Sequence, residues 1–448
     1  MQKSGSEDGA EPPRKVLRSI LKNEGEFFLI QGASLFFAIV AGFLLIRNLG
    51  MEGYGKYVLM LALGHMLSAL GNSGLFIGAS ELVAKSDKSD SSVLRIISSL
   101  AKLRFRASFF AGLVVLLIAS VLLHRIGQTS YPLFWSVVAT LYYGVSLAFS
   151  SLFSESFMLL GKGKLISRFD AAFGIVCALS SIVNSWYFKD GTIVLISLAT
   201  IEGIRACVIH QLLRRRYGER PSPEPSDLKS LNTSFWSLLP NVAFSTIRTE
   251  FVKLVLSVLG QAQTLGAFEG LRRIGRAMAP ALKYLTIVIV PKLSRAPSFM
   301  RYQKICVRAF FFVLPPALLL LGLCYAIPDQ ILSLLGDDFT IYHRELRLVG
   351  WLIFAETLLR LLFDATRSRG WLYFYKRFEL LGFLVILSLY LSFIDFNSLS
   401  NVVMMGLSVS GISILIAILD LSRGARRFAH QEFSEAMEPS MQLQEGKN

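Results

Sequence analysis

Residues 27–57 read FFLIQGASLFFAIVAGFLLIRNLGMEGYGKY, and the first twenty of them contain no charged side chain. An α-helix rises ~1.5 Å per residue, so roughly 20 apolar residues span the ~30 Å hydrocarbon core of a bilayer. The run is too long for the core of a signal peptide, and no small-residue cleavage site follows it. It is therefore predicted to remain in the protein as a transmembrane helix.

Eleven further apolar runs follow along the 448-residue chain. The twelve predicted spans are 27–46, 57–80, 107–123, 131–158, 171–188, 192–213, 234–259, 274–293, 307–326, 346–363, 378–394 and 401–421. Hydrophobic residues make up 53% of the chain and charged residues 17%, with a mean hydropathy of +0.53, which a soluble domain with an ordinary polar surface would not have. We expect an all-α integral membrane protein of about twelve transmembrane helices.

The basic residues are divided unequally between the two sides of this arrangement. Of 46 lysines and arginines, 31 fall in the terminal segments and in every second loop, and 8 in the intervening loops. Because cytoplasmic loops carry the excess of Lys and Arg, both termini are predicted to be cytoplasmic, in a multi-pass protein of the bacterial inner membrane. The formal charge of +15 is scattered over short loops rather than gathered on one domain, which argues against a nucleic-acid partner.

One polar segment, Arg214 to Thr233 (RRRYGERPSPEPSDLKSLNT), divides the predicted helices into two sets of six. A weak repeat supports this division, because Leu49-Gly50 and Gly55-Lys56-Tyr57 after the first helix correspond to Leu259-Gly260 and Gly266-Ala267-Phe268 after the seventh. Both halves then start on the same membrane side, which predicts parallel repeats related by an axis along the membrane normal. The predicted domains are a cytoplasmic N-terminal segment 1–26, a six-helix bundle 27–213, a cytoplasmic linker 214–233, a second six-helix bundle 234–421 and a disordered cytoplasmic tail 422–448.

Charged side chains inside the predicted helices mark candidate functional residues, because each costs roughly 2.5–3.5 kcal/mol at mid-bilayer on insertion scales. The eighth helix places Arg272, Arg276 and Lys283 at i, i+4 and i+11, on one face together with Glu269. The two arginines fit either the outer membrane edge or a cavity. Lys283 fits either snorkelling to an interface or a cationic, water-filled cavity, and the cavity is the preferred interpretation.

The seventh predicted helix also carries charges. Glu250 and Lys253 stand at i and i+3, a spacing that lets them pair. This leaves Arg248 without an obvious partner, so it fits either a ligand contact or a packing role, and the ligand contact is the preferred interpretation. Glu202 and Arg205 in the sixth helix have the same spacing and are interpreted as a structural pair.

The tenth predicted helix contains a ladder of alternating sign, formed by Glu356, Arg360, Asp364 and Arg367. These residues either neutralise one another or face a cavity, and Arg360 is the predicted ligand contact because it lies deepest after Glu356. Glu250, Glu356 and Asp364 are the candidate coupling-ion carboxylates, each of which is also a candidate ion-pair partner. Since arginine forks match phosphate oxygens and lysine adds a compact charge, a cationic cavity predicts an anionic substrate such as a pyrophosphate.

The sequence contains no motif for enzymatic or cofactor chemistry. It has no Walker A loop, no Rossmann glycine fingerprint and no nucleophile elbow, and its five histidines are isolated. Its four cysteines, Cys177, Cys207, Cys306 and Cys324, each lie alone in or beside an apolar stretch and are interpreted as reduced packing residues. The prediction is a transporter without cofactor, metal or catalytic residues rather than an enzyme.

Five short motifs resemble those of a known family. Three are Ile46-Arg47-Asn48-Leu49-Gly50, Glu52-Gly53-Tyr54-Gly55-Lys56-Tyr57 and Gly71-Asn72-Ser73-Gly74-Leu75; the other two are Gly266-Ala267-Phe268 and Val290-Pro291-Lys292-Leu293. They are similar to motifs of polysaccharide flippases, the O-antigen and exopolysaccharide translocases of the multidrug/oligosaccharidyl-lipid/polysaccharide (MOP) exporter superfamily. The resemblance covers the topology of the whole chain and is specific around helices 1–2 and 7–8.

The resemblance implies two bundles in a V around a central cationic cavity, with alternating access for an undecaprenyl-diphosphate-linked oligosaccharide. It places Arg47, Arg248 and Lys283 in helices that line this cavity, whereas Arg276 and Arg360 come from the charge pattern alone. The aspartate of the family's aspartate-leucine-glycine turn is Asn72 or Ser73 here, so no carboxylate role is carried over. Expected partners are the lipid-linked substrate, membrane lipids, a polysaccharide polymerase and glycosyltransferases.

Two other functions compete with this prediction. A drug/cation antiporter of the same superfamily needs a membrane-embedded carboxylate away from cations, and helices 1 and 2 offer none before Glu81. An integral-membrane polysaccharide polymerase or ligase also has about twelve helices, but it needs a sizeable external loop to hold its acceptor. The outward loops predicted here are short, which favours a flippase.

Overall fold

The computed structural model describes residues 13–86, 89–128, 130–218, 221–294, 296–393 and 398–445, and in these residues the protein is helical without a strand. The α-helices are α1 Pro13–Asn72, α2 Leu75–Lys85, α3 Asp90–Arg125, α4 Ser130–Leu159, α5 Gly163–Phe188, α6 Gly191–Tyr217, α7 Pro225–Val258, α8 Ala262–Arg272, α9 Ala279–Tyr284, α10 Val290–Ser294, α11 Phe299–Ala326, α12 Pro328–Leu335, α13 His343–Ser368, α14 Tyr375–Phe393 and α15 Leu399–Glu445. Arg273–Met278 and Asp337–Phe339 form 3₁₀ turns, and Leu285–Ile289 forms a π segment.

Seven helical stretches of the described residues are long and apolar enough to cross a bilayer. One of them, Gly32–Val83, contains two predicted spans, because α1 bends at Gly50, whose φ of 66° favours glycine. The remaining predicted spans correspond to α7, to α8–α10, to α13 and to α14. The described helices therefore agree with the predicted all-α membrane fold of twelve spans.

Successive spans connect at alternating ends of the molecule. We call the end with the loop 218–224 the linker end, and the end with the turns 189–190 and 259–261 the short-loop end. The second span, Met51 to Lys85, and the eighth span, Ala262 to Ser294, both run from the short-loop end to the linker end. They occupy the same position in the two halves of the chain.

The first bundle is built by α1 packing against α3, α4 and α5, and by α4 against α6. Gly64 of α1 and Gly144 of α4 face each other, and a Cβ built on Gly144 would lie 2.9 Å from the carbonyl oxygen of Gly64. Close backbone approach through small residues is the usual means of helix association in membranes, where the lipid removes the hydrophobic driving force between helices. These glycines let α1 and α4 approach each other in direct backbone contact.

The second bundle is built mainly by α13 packing against α11 and α15, and by α14 against α15. Asp420 of α15 is fully buried, and its carboxylate accepts hydrogen bonds from the backbone N–H groups of Phe374 at 2.7 Å and Tyr375 at 3.0 Å. A carboxylate at a helix N-terminus satisfies donors that have no partner within the helix. The start of α14 is thereby fixed to α15.

The two halves meet at the short-loop end through the repeated glycines. Gly50 and Gly260 both have positive φ values, 66° and 73°, and begin the two corresponding turns. A Cβ on Gly55 would overlap the carbonyl oxygen of Ala262, and a Cβ on Gly266 would overlap that of Met51. The second and eighth spans thus cross in direct backbone contact at equivalent positions of the repeat, as expected for parallel repeats about a central axis.

At the linker end the halves meet through α2, α3 and α7. Gly78 of α2 lies against Ser234 of α7, where an added Cβ would come within 2.8 Å of the serine Cβ. Arg95 of α3 forms ion pairs with Glu224 at 2.6 Å and Asp227 at 3.1 Å, both at the start of α7. One side of the linker end is therefore joined by packing and charge.

The terminal segments differ in part from the prediction. The predicted separate segment 1–26 is continuous with the first span from Pro13 onward, since α1 begins there, while residues 1–12 lie outside the described residues. The tail was predicted to be disordered after residue 421, whereas α15 continues to Glu445. The tail is rich in Ala, Arg, Glu, Gln and Met, which have high helix propensity.

Candidate functional site

A central cavity of about 450 Å³ lies between the two halves of the chain. The second span contributes its wall from Tyr54 to Ala69, α7 contributes Ser245 to Lys253, and the eighth span contributes Glu269, Arg273 and Arg276. The crossing at Gly55 and Gly266 closes the cavity at the short-loop end, and the wall extends from there toward the linker end.

The eighth span is an irregular helix, and its irregularity sets which side chains face the cavity. The α-helix α8 changes to a 3₁₀ turn at Arg273–Met278, returns to α in α9, passes through the π segment Leu285–Ile289 and ends in α10. In a 3₁₀ helix residues i and i+3 eclipse each other. Arg273 and Arg276 are therefore aligned on one face and both line the cavity.

Arg273 is buried, at 9% exposure, and has no carboxylate partner among the described residues. Its guanidinium lies over the ring of Tyr54, 5.2 Å from the centroid, and against Gly42 of α1, where a Cβ would overlap it. Its Nε and Nη1 make no hydrogen bond with the described residues. A buried charged donor without a partner is costly, so this arrangement is prepared for an anion from outside the chain.

Arg276 adds a second positive charge to the wall of the central cavity. It is an exposed side chain, and it makes no hydrogen bond or ion pair with any side chain in the described part of the protein. Both arginines also line a second cavity of about 220 Å³, which lies inside the first bundle. The pair therefore stands at the junction of two cavities.

The cavity carboxylates, in contrast, are paired with cations. Lys253 Nζ lies 2.6 Å from Glu250 and 3.9 Å from Glu269. Arg272 continues the chain of ion pairs, with Glu269 at 3.1 Å and Glu356 of α13 at 2.7 Å. Because these carboxylates are compensated, the uncompensated charge of the cavity is that of Arg273 and Arg276.

The structure places two of the predicted site residues at this cavity. Arg276 and Glu250 line it. Lys283 is exposed on α9 and lines neither of the two cavities. The predicted pair of Glu250 and Lys253 is present.

The other predicted site residues lie elsewhere. Arg47 is exposed beside Gly336 at the short-loop end. Arg248 donates to Ser413 at 3.4 Å in a small pocket between α7, α14 and α15. Arg360 pairs with Asp364 at 3.0 Å and is half exposed, while Glu356 binds Arg272 rather than completing the predicted ladder. The central cavity and the second cavity are lined by none of these five residues, which are Arg47, Arg248, Glu356, Arg360 and Asp364.

Sequence reasoning missed Arg273, Tyr54 and His65, the last of which lines both cavities. It treated the eighth span as a regular helix, which places Arg272 rather than Arg273 beside Arg276. Gly270, Gly275 and Pro280 signal a departure from regular α-helix. No feature of the sequence gives the direction in which Arg273 then points.

Two polar clusters of the first bundle are structural. The predicted pair of Glu202 and Arg205 is present at 3.0 Å, and Arg205 also binds Asp170. Arg104 of α3 is buried beside Glu155 of α4 at 2.9 Å. In both clusters each cation has a carboxylate, so neither offers a free charge to a ligand.

No protein-family model and no curated protein matches the sequence. Several solved structures share the fold over most of the chain, among them the following three. An inward-facing multidrug resistance MATE family transporter of the MOP superfamily is 14% identical, with a TM-score of 0.64 over 89% of this chain and 95% of that one. Lipid II flippase MurJ in an inward closed conformation is 12% identical, with a TM-score of 0.61 over 90% and 89%. The Vibrio cholerae MATE transporter VcmN is 14% identical, with a TM-score of 0.60 over 92% and 98%.

At these identities the likeness establishes the fold alone. All three proteins match along both halves of the chain, so the predicted all-α architecture of two six-helix bundles is confirmed. The same fold serves a multidrug transporter and a lipid flippase, so the substrate has to be argued from the cavity.

Proposed function

We propose that the protein is a flippase that moves an undecaprenyl-diphosphate-linked oligosaccharide, such as an O-antigen or exopolysaccharide repeat unit, across the bacterial inner membrane. The observation that carries the proposal is Arg273, a buried guanidinium in the central cavity without a carboxylate partner among the described residues. With Arg276 it supplies two forks of the kind that bind diphosphate oxygens bidentately. In the proposal, the diphosphate of the lipid carrier binds between them.

Alternating access follows from the way the halves are joined. In the proposed orientation both termini are cytoplasmic, so the linker end faces the cytoplasm and the glycine crossing closes the periplasmic end. Bound diphosphate compensates the charge of Arg273 and Arg276 and thereby lowers the desolvation cost of a state in which the cavity walls approach each other. A ligand shifts such an equilibrium only by its difference in affinity for the two states, which this charge compensation provides.

A drug/cation antiporter is the competing function on this fold. A cationic drug binds best to a carboxylate whose charge is free, whereas Glu250 and Glu269 are both engaged with Lys253 or Arg272. The electrostatics of the cavity thus favour an anionic substrate. A polymerase or ligase is disfavoured, because the solved structures with this fold are transporters.

The proposal also implies partners of a stated kind. Glycosyltransferases supply the lipid-linked oligosaccharide on the cytoplasmic side, and a polysaccharide polymerase consumes it on the other side. Membrane lipids surround the exposed apolar faces, such as Phe105, Phe109 and Leu117 of α3.

The test is lipid flux in vesicles containing the purified protein. A fluorescent prenyl-diphosphate-linked oligosaccharide in the inner leaflet becomes accessible to an external quencher when it is flipped. Wild-type protein is expected to flip it, and Arg273→Ala to lower the rate about 10–100-fold, since two charge-assisted hydrogen bonds are lost. Arg360→Ala is the matched control, because Arg360 is also an arginine of a membrane helix but pairs with Asp364 away from both cavities.

A second arm of the same experiment addresses the antiporter. Vesicles loaded with a cationic dye are followed under a proton or sodium gradient. Dye export by the wild type, together with lipid flux no faster than in protein-free vesicles, would overturn the proposal and establish the competing function.

A further inference from the structure

The second cavity is a side chamber of the central one. It lies among α1, α4, α5 and α6 and has a volume of about 220 Å³. Four residues line both cavities: Leu61, His65, Arg273 and Arg276. The arginine pair therefore separates two compartments, and together these have the ~300–1,000 Å³ volume typical of small-molecule sites.

Apart from the two arginines and His65, the side chamber is lined by uncharged groups. Tyr57 and Tyr143 contribute buried rings, and Ser181 and Cys177 of α5 add a hydroxyl and a thiol. The Tyr143 hydroxyl lies 3.4 Å from His65 Nε2, which holds both rings in place. The Tyr57 hydroxyl makes no side-chain hydrogen bond with the described residues.

This lining contrasts with that of the central cavity, whose wall carries Glu250, Lys253 and Glu269. Aromatic rings interleaved with neutral donors and acceptors match a sugar ring, which presents C–H faces and hydroxyl edges and carries no charge. An ion or a charged drug would find no counter-charge in the side chamber other than the arginines.

Two glycines keep the chamber and the arginine in place. A Cβ on Gly42 of α1 would overlap the Arg273 guanidinium, and a Cβ on Gly174 of α5 would lie 2.6 Å from Ser34 Oγ. Arg273 therefore reaches the junction only because α1 has no side chain at that point. Its side chain lines both cavities, and its buried Nε and Nη1 make no hydrogen bond with the described residues.

We infer that the side chamber is the binding subsite for the first sugar of the lipid-linked substrate, the one attached to the diphosphate. This inference rests on the proposed function and adds to it a glycan specificity. The diphosphate binds at Arg273 and Arg276, and the sugar, one glycosidic oxygen away, enters the chamber between Tyr57, Tyr143 and Ser181. The rest of the glycan remains in the larger central cavity.

The test compares ligands with and without that sugar. Purified protein is titrated with farnesyl diphosphate and with its glucosyl, galactosyl and N-acetylglucosaminyl esters. At least one ester is expected to bind about tenfold more tightly than farnesyl diphosphate. Cys177→Phe, which fills the chamber, is expected to remove this preference and to leave the affinity for farnesyl diphosphate within about twofold.

Val176→Phe is the matched control, because Val176 adjoins Cys177 on α5 and is exposed on the outside of the bundle. It is expected to retain the preference for the sugar ester. A measurement on the unaltered protein covers the case in which Cys177→Phe fails to fold. Methylthiolation of Cys177 by methyl methanethiosulfonate, followed by mass spectrometry, should be slowed by the preferred ester and not by farnesyl diphosphate.

The outcomes separate the inference from the proposed function. If farnesyl diphosphate binds through Arg273 but no ester binds more tightly and none protects Cys177, the sugar subsite is excluded and the flippase proposal stands. If farnesyl diphosphate does not bind, or binds equally to Arg273→Ala, both fail.

Discussion

Two buried arginines, Arg104 in the first bundle and Arg273 in the central cavity, have opposite electrostatic surroundings. Arg104 is 2% exposed and lies 2.9 Å from a carboxylate oxygen of Glu155, which also accepts a hydrogen bond from Asn72. Arg273 is 9% exposed and stacks on Tyr54 without a carboxylate among the described residues. One charge is compensated within the chain, and the other is not.

Under the proposed function, the difference is between a charge that contributes to stability and a charge that binds a ligand. Breaking a compensated buried pair leaves an orphaned partner, which is strongly destabilising. Removing an uncompensated charge relieves a desolvation penalty, so it costs function rather than stability. The predictions below test this separation in order of expected effect.

The largest effect is expected from Arg104→Leu. It leaves Glu155 buried without its cation and is predicted to lower the free energy of unfolding by about 3–5 kcal/mol. Thermal unfolding in detergent measures this. Adding Glu155→Leu should restore much of the loss, and a double variant less stable than the single one would contradict the interpretation of Arg104 as a compensated structural charge.

Arg273→Leu should behave in the opposite way. Its melting temperature is expected to equal or exceed that of the wild type, while the affinity for farnesyl diphosphate falls about 10–100-fold through the lost charge-assisted hydrogen bonds. Titration and thermal unfolding on the same preparation separate the two effects. Loss of stability as large as that of Arg104→Leu would refute the contrast between the two sites.

An intermediate effect is expected at the glycine crossing that positions Arg273. Gly266→Ala forces its new Cβ against the backbone oxygen of Met51 and is predicted to cost about 1–3 kcal/mol of stability and to slow transport. Gly53→Ala is the matched control, because its Cβ would meet only Leu49 Cβ at 3.5 Å. Equal melting temperatures for the two variants would show that the spans do not cross as closely as described.

Arg273→Lys tests whether the charge or its shape matters. Lysine keeps the positive charge but loses the planar fork and the stacking on Tyr54, so the affinity for the diphosphate should fall only about 5–10-fold. Affinity equal to that of Arg273→Leu would indicate that the planar fork and its stacking on Tyr54, rather than the positive charge alone, determine the affinity.

The smallest effect is expected from Arg360→Ala. Arg360 is half exposed whereas Asp364 is buried, so the lost pair is expected to cost about 1 kcal/mol of stability, less than at Arg104, whose side chain is buried as well. Lipid flux should change less than about twofold, because Arg360 lines neither cavity. A large loss of flux would return Arg360 to the candidate site, where the charge pattern of the sequence had placed it.

Much of the fold follows from local sequence. Apolar length and the alternation of basic loops give the number of spans and their order, and the repeated glycines at 50, 55, 260 and 266 mark the crossing of the halves. Ion pairs at i and i+3, such as Glu250 with Lys253, can also be predicted from the sequence, because both partners lie on one helix face. Pairs between helices, such as Arg272 with Glu356, are not, since nothing local relates residues far apart in the chain.

The candidate site was only partly predictable for a physical reason. Arg276 and Glu250 were identified as intramembrane charges, yet Arg273 was not singled out, and Arg47, Arg248 and Arg360 were favoured although they line neither cavity. A shift from α to 3₁₀ geometry rotates each later side chain around the helix axis, and sequence periodicity assumes a constant rotation.

By itself, then, the sequence determined that the protein lies in a bilayer, how many spans it has and that its halves form a parallel repeat. The reason is that a lipid environment requires long apolar helices and confines most charged residues to the loops. Only the tertiary structure decided which intramembrane charges are compensated. Whether a charge is compensated depends on distances of a few ångströms between helices. Arg273, which packs against Gly42 of α1, has no carboxylate partner in the described part of the chain.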